Sequence, residues 1–225
     1  MTVAPVPSDP SSRHPAPEAV DAAAVRRAMD RCLAIVERHG PWLTALDTVL
    51  GDGDHGDNLV IGFRAVADHL AGLPDDSTPG ELLRAVGHRL VAAVGGASGP
   101  LYGTAFLEAG VAVGDGSTLG PDDLARGFAA AAAGLARRGR CAVGDKTILD
   151  ALAPGADAFE QALAAGLPVR AAAARATLAA ARGMRATRPL IARRGLALRL
   201  GDRSRGHLDP GAVSCTFLLR AIGGR

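Results

Sequence analysis

From residue 18 onward the sequence is a succession of alanine-rich segments of helical character, broken by Gly, Pro and Asp. None of these segments shows the sustained period-two alternation of a half-buried strand, and aromatic residues make up only 3% of the chain. Alanine favours helices and allows them to pack closely, whereas sheets favour β-branched and aromatic residues. The pattern therefore predicts one all-α domain built of antiparallel helices joined by short loops.

The boundaries of the helices follow from their start and stop signals. The predicted helices are 18–39, 57–73, 79–94, 99–113, 121–138, 145–165, 168–184 and 209–222, with a short helical piece near 41–49. Asp57 is expected to cap the second of them. Residues 1–17 are rich in Pro and Ser and predict a disordered leader, so we expect the domain to span residues 18–225.

Charge and cysteine content exclude several classes of protein. The net charge is +2, which gives no reason to expect nucleic acid or an anionic membrane as a partner. No apolar run reaches the roughly 18 residues that a membrane span needs, and no secretory signal precedes the helices. Cys32, Cys141 and Cys215 are far apart and odd in number, which is typical of small buried residues in a reducing compartment. We expect a soluble, cytoplasmic protein.

The segment "LDTVLGDGDHGDN" places Asp47, Asp52 and Asp54 within eight residues. Three carboxylates so close repel one another unless a cation lies between them, and hard cations such as Mg²⁺ take oxygen ligands and share them with phosphates. The glycines match the G-x-G-x-x-G fingerprint, but aspartates there would repel a pyrophosphate and no strand precedes them. An EF-hand fails because Phe63 would occupy its twelfth position. A metal site is favoured over a solvated acidic turn.

Three further segments carry less specific signals. In "GGASGPLYGT" (residues 95–104), the glycines around Ser98 suit either a phosphate-binding loop or a tight turn between helices. In "GDKTILDAL" (144–152), Asp145 suits an N-cap, and Lys146 and Thr147 suit either an anion contact or an ordinary first turn. In "LGDRSRGHLDPGAVS" (200–214), His207 is a ligand, a base or a structural hydrogen-bonding group, and the turn at 209–211 begins a helix or contacts a nucleotide.

Taken in order, these four segments closely resemble the L-subunit (DhaL) family of dihydroxyacetone kinase, from about residue 18 to the C-terminus. The resemblance implies an eight-helix antiparallel barrel that binds a nucleotide through loops at one end. It also implies that Asp47, Asp52 and Asp54 hold two Mg²⁺ ions that bridge the phosphates. The positions it assigns to nucleotide contacts are His55, Asn58, Ala97, Ser98, Gly139, Ile148, Asp209, Pro210 and Gly211.

By the same resemblance, the chain presents ADP or ATP for phosphoryl transfer to dihydroxyacetone held on a separate K subunit, with no catalytic residue of its own beyond the metal site. In one version an M subunit of the phosphoenolpyruvate phosphotransferase system rephosphorylates bound ADP, and in the other ATP exchanges freely. A free-standing subunit favours the first version. The alternatives are the nucleotide lobe of an ATP-dependent kinase for another ketose, such as a tetrulose, and a regulatory homologue that has lost transfer activity.

The sequence departs from the family pattern near residue 196. Where members commonly read K-G-R-A-S-Y-L-G-E-R-S, this chain has RGLALRLGDRS from Arg194 to Ser204. Leu196 therefore replaces an arginine that contacts the nucleotide phosphates in relatives, and leucine supplies neither charge nor donors. Our hypothesis is that a nearby arginine, at position 193, 194 or 199, reaches into the same space.

Overall fold

Eight α-helices make up most of residues 19–224, the part of the chain that the computed structural model describes. They are α1 (Ala22–Leu50), α2 (His55–Ala71), α3 (Pro79–Ala93), α4 (Ser98–Val113), α5 (Pro121–Gly139), α6 (Leu149–Ala164), α7 (Val169–Ala186) and α8 (Pro210–Ile222). A 3₁₀ helix spans Leu196–Ser204, and the two-residue strands are β1 (Val20–Asp21) and β2 (Thr118–Leu119). The predicted leader at 1–17 lies outside the described residues.

The helices form a closed ring. Each helix packs against the next one in sequence, and α8 packs back against α1. β1 and β2 pair antiparallel, with Val20 opposite Leu119, and this pairing ties the start of α1 to the start of α5. The expected all-α class and the eight-helix barrel are confirmed.

Helix α1 is longer than the sequence pattern predicts. The expected break between 39 and 41 is wrong, because α1 continues through Pro41 to Leu50. Its buried residues recur at Val36, Gly40, Leu43 and Asp47, a spacing of four, three and four that keeps one face against the barrel on both sides of the proline. Packing along this face outweighs the single backbone hydrogen bond that Pro41 cannot make.

The start of α6 also differs from the prediction. The helix begins at Leu149 rather than 145, because the Asp150 carboxylate accepts N–H bonds from Gly144 (2.6 Å) and Thr147 (2.7 Å) and holds the preceding residues in a turn. Asp145 is therefore not an N-cap of this helix, and its Oδ2 accepts from the Ala142 N–H at 3.0 Å within the same turn.

Mostly aliphatic side chains and alanines, with a few aromatic rings, fill the interior of the barrel. Phe63, Leu59 and Leu82 are among its fully buried members. Cys32 and Cys215 are buried as expected, and burial raises the pKa of each thiol to about 12. The expectation is wrong for Cys141, which is half-buried because it lines the cleft at the end of the barrel. Among residues 19–224, no helix combines the length and apolar character that a bilayer crossing requires.

Candidate functional site

A cleft of about 740 Å³ opens at one end of the barrel. Its walls combine the C-terminal ends of α1 and α5 with the N-terminal ends of α2, α4 and α8, so the helices alternate in direction as predicted. The N-terminal end of a helix carries unpaired backbone N–H groups and the positive end of its dipole. This end of the barrel is therefore suited to an anionic ligand, and its volume lies in the range of small-molecule sites.

Asp47, Asp52 and Asp54 converge in this cleft, where one carboxylate oxygen from each lies within 4.8 Å of the others. Asp47 is buried at the end of α1, and its Oδ2 accepts backbone N–H bonds from Gly53 (3.0 Å), Asp54 (3.1 Å) and His55 (3.3 Å). A Cβ atom at Gly51 would lie only 2.2 Å from Asp47 Oδ1, so a side chain there would displace the Asp47 carboxylate. Asp47 thus shapes the loop that presents the two exposed carboxylates.

The electrostatics of the cluster fit a hard cation. Partial desolvation raises the pKa of Asp54, a hydrogen bond from Asn58 opposes this, and the nearby Asp52 and Asp47 carboxylates raise the pKa further. A divalent ion among these oxygens would remove the repulsion that they otherwise exert on one another. The sequence predicted Asp57 as the N-cap residue of α2, and this is wrong. The N-cap residue is Asp54, because the helix begins at His55 and Asp57 lies inside its first turn.

The glycine-rich segment forms the tight turn between α3 and α4, and part of it also lines the cleft. Residues 95–98 line the cleft, with Ser98 at the first position of α4. Gly99 faces away from the cleft, and a Cβ atom there would lie 2.3 Å from the Val94 carbonyl oxygen. The close turn between α3 and α4 therefore depends on Gly99, whereas residues 95–98 are available to a ligand.

A buried hydrogen-bonded relay leads into the cleft behind Ser98. His55 Nδ1 lies 3.0 Å from Ser98 Oγ, and Nε2 lies 2.9 Å from Ser214 Oγ. Ser214 Oγ is in turn 2.7 Å from the Tyr102 hydroxyl. Burial lowers the pKa of His55, so the imidazole is neutral at physiological pH. His55 consequently connects the N-terminal ends of α2, α4 and α8.

The turn at residues 209–211 forms the start of α8 and another wall of the cleft. Asp209 Oδ2 caps the helix by accepting from the Ala212 N–H at 2.7 Å, and the Asp209 N–H donates to Thr187 Oγ1 at 3.0 Å. Burial raises the pKa of Asp209 to about 7, although the nearby Lys146 ammonium lowers it. Gly211 packs directly against Ile148, which is itself buried.

Asp209→Asn is expected to remove part of the pH dependence of stability. The pKa of Asp209 rises from an ordinary 3.8 to about 7 on folding, so protonated Asp209 stabilises the native state fully below pH 3.8, and this contribution is lost as pH rises through 7. Asparagine keeps the cap and does not titrate. Between pH 5 and pH 8 the wild type should lose roughly 2 to 3 kcal/mol more unfolding free energy than the variant in urea denaturation. Equal losses of unfolding free energy in the wild type and in Asp209→Asn would contradict this prediction.

The remaining predicted site residues divide into two groups. Gly139 and Ile148 line the cleft together with the Asp209–Gly211 turn. Asn58 does not line it, and its side chain contacts Asp54 and the Gly95 position instead. The ring of His207 is exposed, and its backbone carbonyl accepts a hydrogen bond from Lys146 Nζ at 2.6 Å.

Leu196 and two of the three arginines that could compensate for it line the cleft. The 3₁₀ helix brings Leu196 and Arg199 to the wall, and Arg194 precedes it there, whereas Arg193 is not part of the lining. The Arg194 side chain donates to the Arg140 carbonyl at 2.6 Å and lies 3.6 Å from Asp145. Arg199 makes no hydrogen bond or ion pair with the part of the chain that the structure describes. Its guanidinium is therefore available to a ligand.

Comparison with known proteins identifies sequence relatives over most of the chain. Residues 49–224 match the DAK2 domain family. The chain is 42% identical over 193 residues to the "PEP-dependent dihydroxyacetone kinase 2, ADP-binding subunit DhaL" of Listeria innocua, an alignment that covers 84% of this chain and 88% of the relative. It is also 34% identical over 199 residues to the D-erythrulose kinase of Mycolicibacterium smegmatis, covering 88% of this chain and 34% of that kinase.

A solved structure shares the same architecture. The dihydroxyacetone kinase from C. freundii, in complex with AMP-PNP and Mg²⁺, matches with a TM-score of 0.67 at 26% sequence identity. The alignment covers 99% of this chain and 37% of that chain. The present chain thus spans about a third of the D-erythrulose kinase and of the C. freundii kinase, and nearly the full length of the L. innocua subunit.

Proposed function

This chain belongs to the DAK2 domain family, and we propose that it is the nucleotide-binding subunit of a dihydroxyacetone kinase, a phosphotransferase that holds ADP or ATP with Mg²⁺. One observation carries the proposal: Asp47, Asp52 and Asp54 converge within 4.8 Å in a cleft walled by helix N-terminal ends. Carboxylates bind Mg²⁺ and helix N-terminal ends bind phosphate, so both parts of a magnesium nucleotide have complementary partners here.

The roles of the residues follow from their positions. We assign Asp47, Asp52 and Asp54 as ligands of two Mg²⁺ ions, which when bound would neutralise charge on the phosphates. Residues 97 and 98 would contact the phosphates, with His55 holding the Ser98 hydroxyl and Asn58 supporting Asp54 from outside the cleft. The proposed contacts to base and sugar are Gly139, Ile148, Asp209, Pro210 and Gly211. Phosphoryl transfer would then depend on how the site positions the nucleotide and neutralises the charge of its phosphates, without a covalent intermediate on this chain.

We assign the acceptor to another polypeptide, a K-type subunit that holds dihydroxyacetone. The L. innocua relative is named as one subunit of a PEP-dependent kinase, which supports this division of labour. It also favours a phosphotransferase-system donor, so that an M-type subunit would rephosphorylate bound ADP in the cytoplasm. Bound ADP would in that case be a resident cofactor and not an exchanging substrate.

The nucleotide content of the purified protein tests this proposal. After dialysis and denaturation, we expect released ADP near one per chain, with about two Mg²⁺, as roughly stoichiometric values for a resident cofactor. Protein that retains no nucleotide but binds ATP in the presence of Mg²⁺ would indicate the exchanging type of kinase. Protein that binds neither nucleotide with Mg²⁺ would overturn the proposed function.

A kinase for another ketose is the second candidate. The observation that favours it is the 34% identity to D-erythrulose kinase, which covers 88% of this chain. Turnover with dihydroxyacetone and with erythrulose, each presented by a K-type subunit, separates the two candidates. The preferred sugar is the one with the larger kcat/KM.

Ser214→Ala is expected to weaken binding of ADP with Mg²⁺ by roughly 3- to 10-fold, the effect of one lost hydrogen bond. Ser214 lies behind His55 and would act through the relay to Ser98, not through a contact with the nucleotide. Thr216→Val is the matched control, because Thr216 is buried on the same helix and, within residues 19–224, its hydroxyl bonds only to the Ala212 carbonyl. Isothermal titration of both variants gives the comparison, and equal affinities would contradict a role for the relay.

A further inference from the structure

Lys146 is the one lysine among the 25 basic residues of the chain, and it lies in the interior. Its side chain is 1% exposed, and its backbone φ of +65° lies in the left-handed region that non-glycine residues rarely adopt. Burial of an ammonium group is costly unless its protons are satisfied. Both features show that the surrounding structure holds Lys146 in an unfavourable backbone conformation and environment.

All three protons of the Lys146 ammonium have acceptors. Nζ donates to the backbone carbonyl oxygens of His207 (2.6 Å), Thr187 (2.9 Å) and Leu190 (3.3 Å). An ammonium carries three donors in a compact tetrahedral arrangement, which suits three carbonyls that converge on one point. Burial lowers the pKa of Lys146, and the Asp209 and Asp150 carboxylates oppose this by favouring the charged form.

These carbonyls belong to both ends of one segment, residues 187–209, which we call the strap. The strap connects α7 to α8 and carries the 3₁₀ helix that forms one wall of the cleft. Two backbone hydrogen bonds support the same arrangement. The Gly206 N–H donates to the Arg188 carbonyl at 2.7 Å and joins the two ends of the strap, and the Arg193 N–H donates to the Asp145 carbonyl at 3.0 Å and joins the strap to the turn before α6. Lys146 therefore joins the two ends of the strap to each other and to the turn before α6.

We infer that Lys146 is a positioning residue, whose ammonium fixes the strap and so places the 3₁₀ wall and the Asp209 turn on opposite sides of the nucleotide. The inference rests on the proposed function for its ligand, and it goes further by naming what sets the shape of that site. Thr147 and Ile148, which directly follow Lys146, also line the cleft. The hydrogen bonds of the Lys146 ammonium therefore position these two residues as well as the strap. Without the ammonium, three carbonyls would be left to face one another in the interior.

The test compares Lys146→Met with a variant that lowers stability elsewhere. Leu82→Ala is suitable, because Leu82 is fully buried near the start of α3, the end opposite to the cleft. For Lys146→Met we expect the Kd for ADP with Mg²⁺ to rise about tenfold. We also expect amide hydrogens of peptides within 188–206 to exchange at least roughly tenfold faster. For Leu82→Ala, the Kd for ADP and the exchange rate in residues 188–206 should stay within about twofold of the wild type, when each protein is measured the same number of degrees below its own melting temperature.

Lys146→Gln, which keeps two donors on a shorter side chain, should give intermediate values and serves if the methionine variant does not fold. Unchanged exchange in the strap, or a Kd equal to that of Leu82→Ala, would overturn the inference. The exchange measurement needs no ligand, so it remains informative if the wild type fails to bind ADP with Mg²⁺. That failure would count against the proposed function alone.

Discussion

Asp54→Asn is expected to weaken Mg²⁺-dependent binding of ADP by roughly 100-fold or more, about 2.7 kcal/mol. The exposed Asp54 carboxylate is one of three whose oxygens lie within 4.8 Å of each other. An amide offers Mg²⁺ a neutral oxygen in place of a charged one, and the phosphates lose the cation that would hold them. Isothermal titration calorimetry with ADP at saturating Mg²⁺ measures the change in Kd. Asp52→Asn should behave in the same way.

The same substitution should have the opposite effect on the metal-free protein. Three clustered carboxylates destabilise the folded chain by mutual repulsion, and desolvation together with the neighbouring carboxylates raises the pKa of Asp54. In EDTA, Asp54→Asn should therefore melt at or above the temperature of the wild type, and Mg²⁺ should no longer raise that temperature. Asp47→Ala should instead melt lower, because three backbone N–H groups lose the carboxylate that accepts their hydrogen bonds.

Asp57→Asn is the matched control for these variants. Asp57 is an exposed carboxylate three residues after Asp54, in the first turn of α2 and outside the cleft lining. Its substitution changes the net charge by the same amount and should leave ADP binding within about twofold. If Asp57→Asn and Asp54→Asn weaken binding equally, general charge and not metal ligation explains the effect.

The sequence predicted those features that depend on neighbouring residues. Alanine-rich segments and their Gly, Pro and Asp boundaries are local, and they anticipated the all-α class and most helix ends. The aspartate cluster is also local, since its members lie within eight residues. Local rules failed at Pro41, because packing along one face of α1 keeps the chain helical on both sides of the proline. They also failed at the turn before α6, because the Asp150 carboxylate accepts hydrogen bonds from two backbone N–H groups of that turn.

Contacts between distant segments were beyond the reach of such patterns. The acceptors of Lys146 are backbone carbonyls 41, 44 and 61 residues away, and carbonyls have no sequence signature. The ring of His55 meets Ser214 across 159 residues, and the Tyr102 hydroxyl completes the relay from a third helix. One indirect signal did exist, because a single lysine in a chain that otherwise uses arginine marks a position where a compact ammonium is needed.

Arg199 is our candidate for the phosphate contact that Leu196 cannot make. Both residues lie in the 3₁₀ helix, ahead of the kink at Gly201, and both line the cleft. A 3₁₀ helix has three residues per turn, so residues three apart lie on the same face. Moving the guanidinium from position 196 to 199 thus keeps it on the same side of the wall, one turn further along. Arg194 is less suited to this role because its side chain already binds the Arg140 carbonyl and faces Asp145.

Arg199→Gln is accordingly expected to weaken binding of ADP with Mg²⁺ by roughly 10- to 100-fold, the range for a hydrogen bond to a charged group. Adding Leu196→Arg to that variant should recover most of the loss, since the new guanidinium lies on the same face. Arg203→Gln is the control, because Arg203 is exposed on the same 3₁₀ helix but outside the cleft lining. The wild-type affinity should also fall with rising salt more steeply than that of Arg199→Gln, because the wild type retains one more ionic contact. An unchanged Kd in Arg199→Gln would show that the site neutralises its phosphates without this residue, through Mg²⁺ and the helix N-terminal ends.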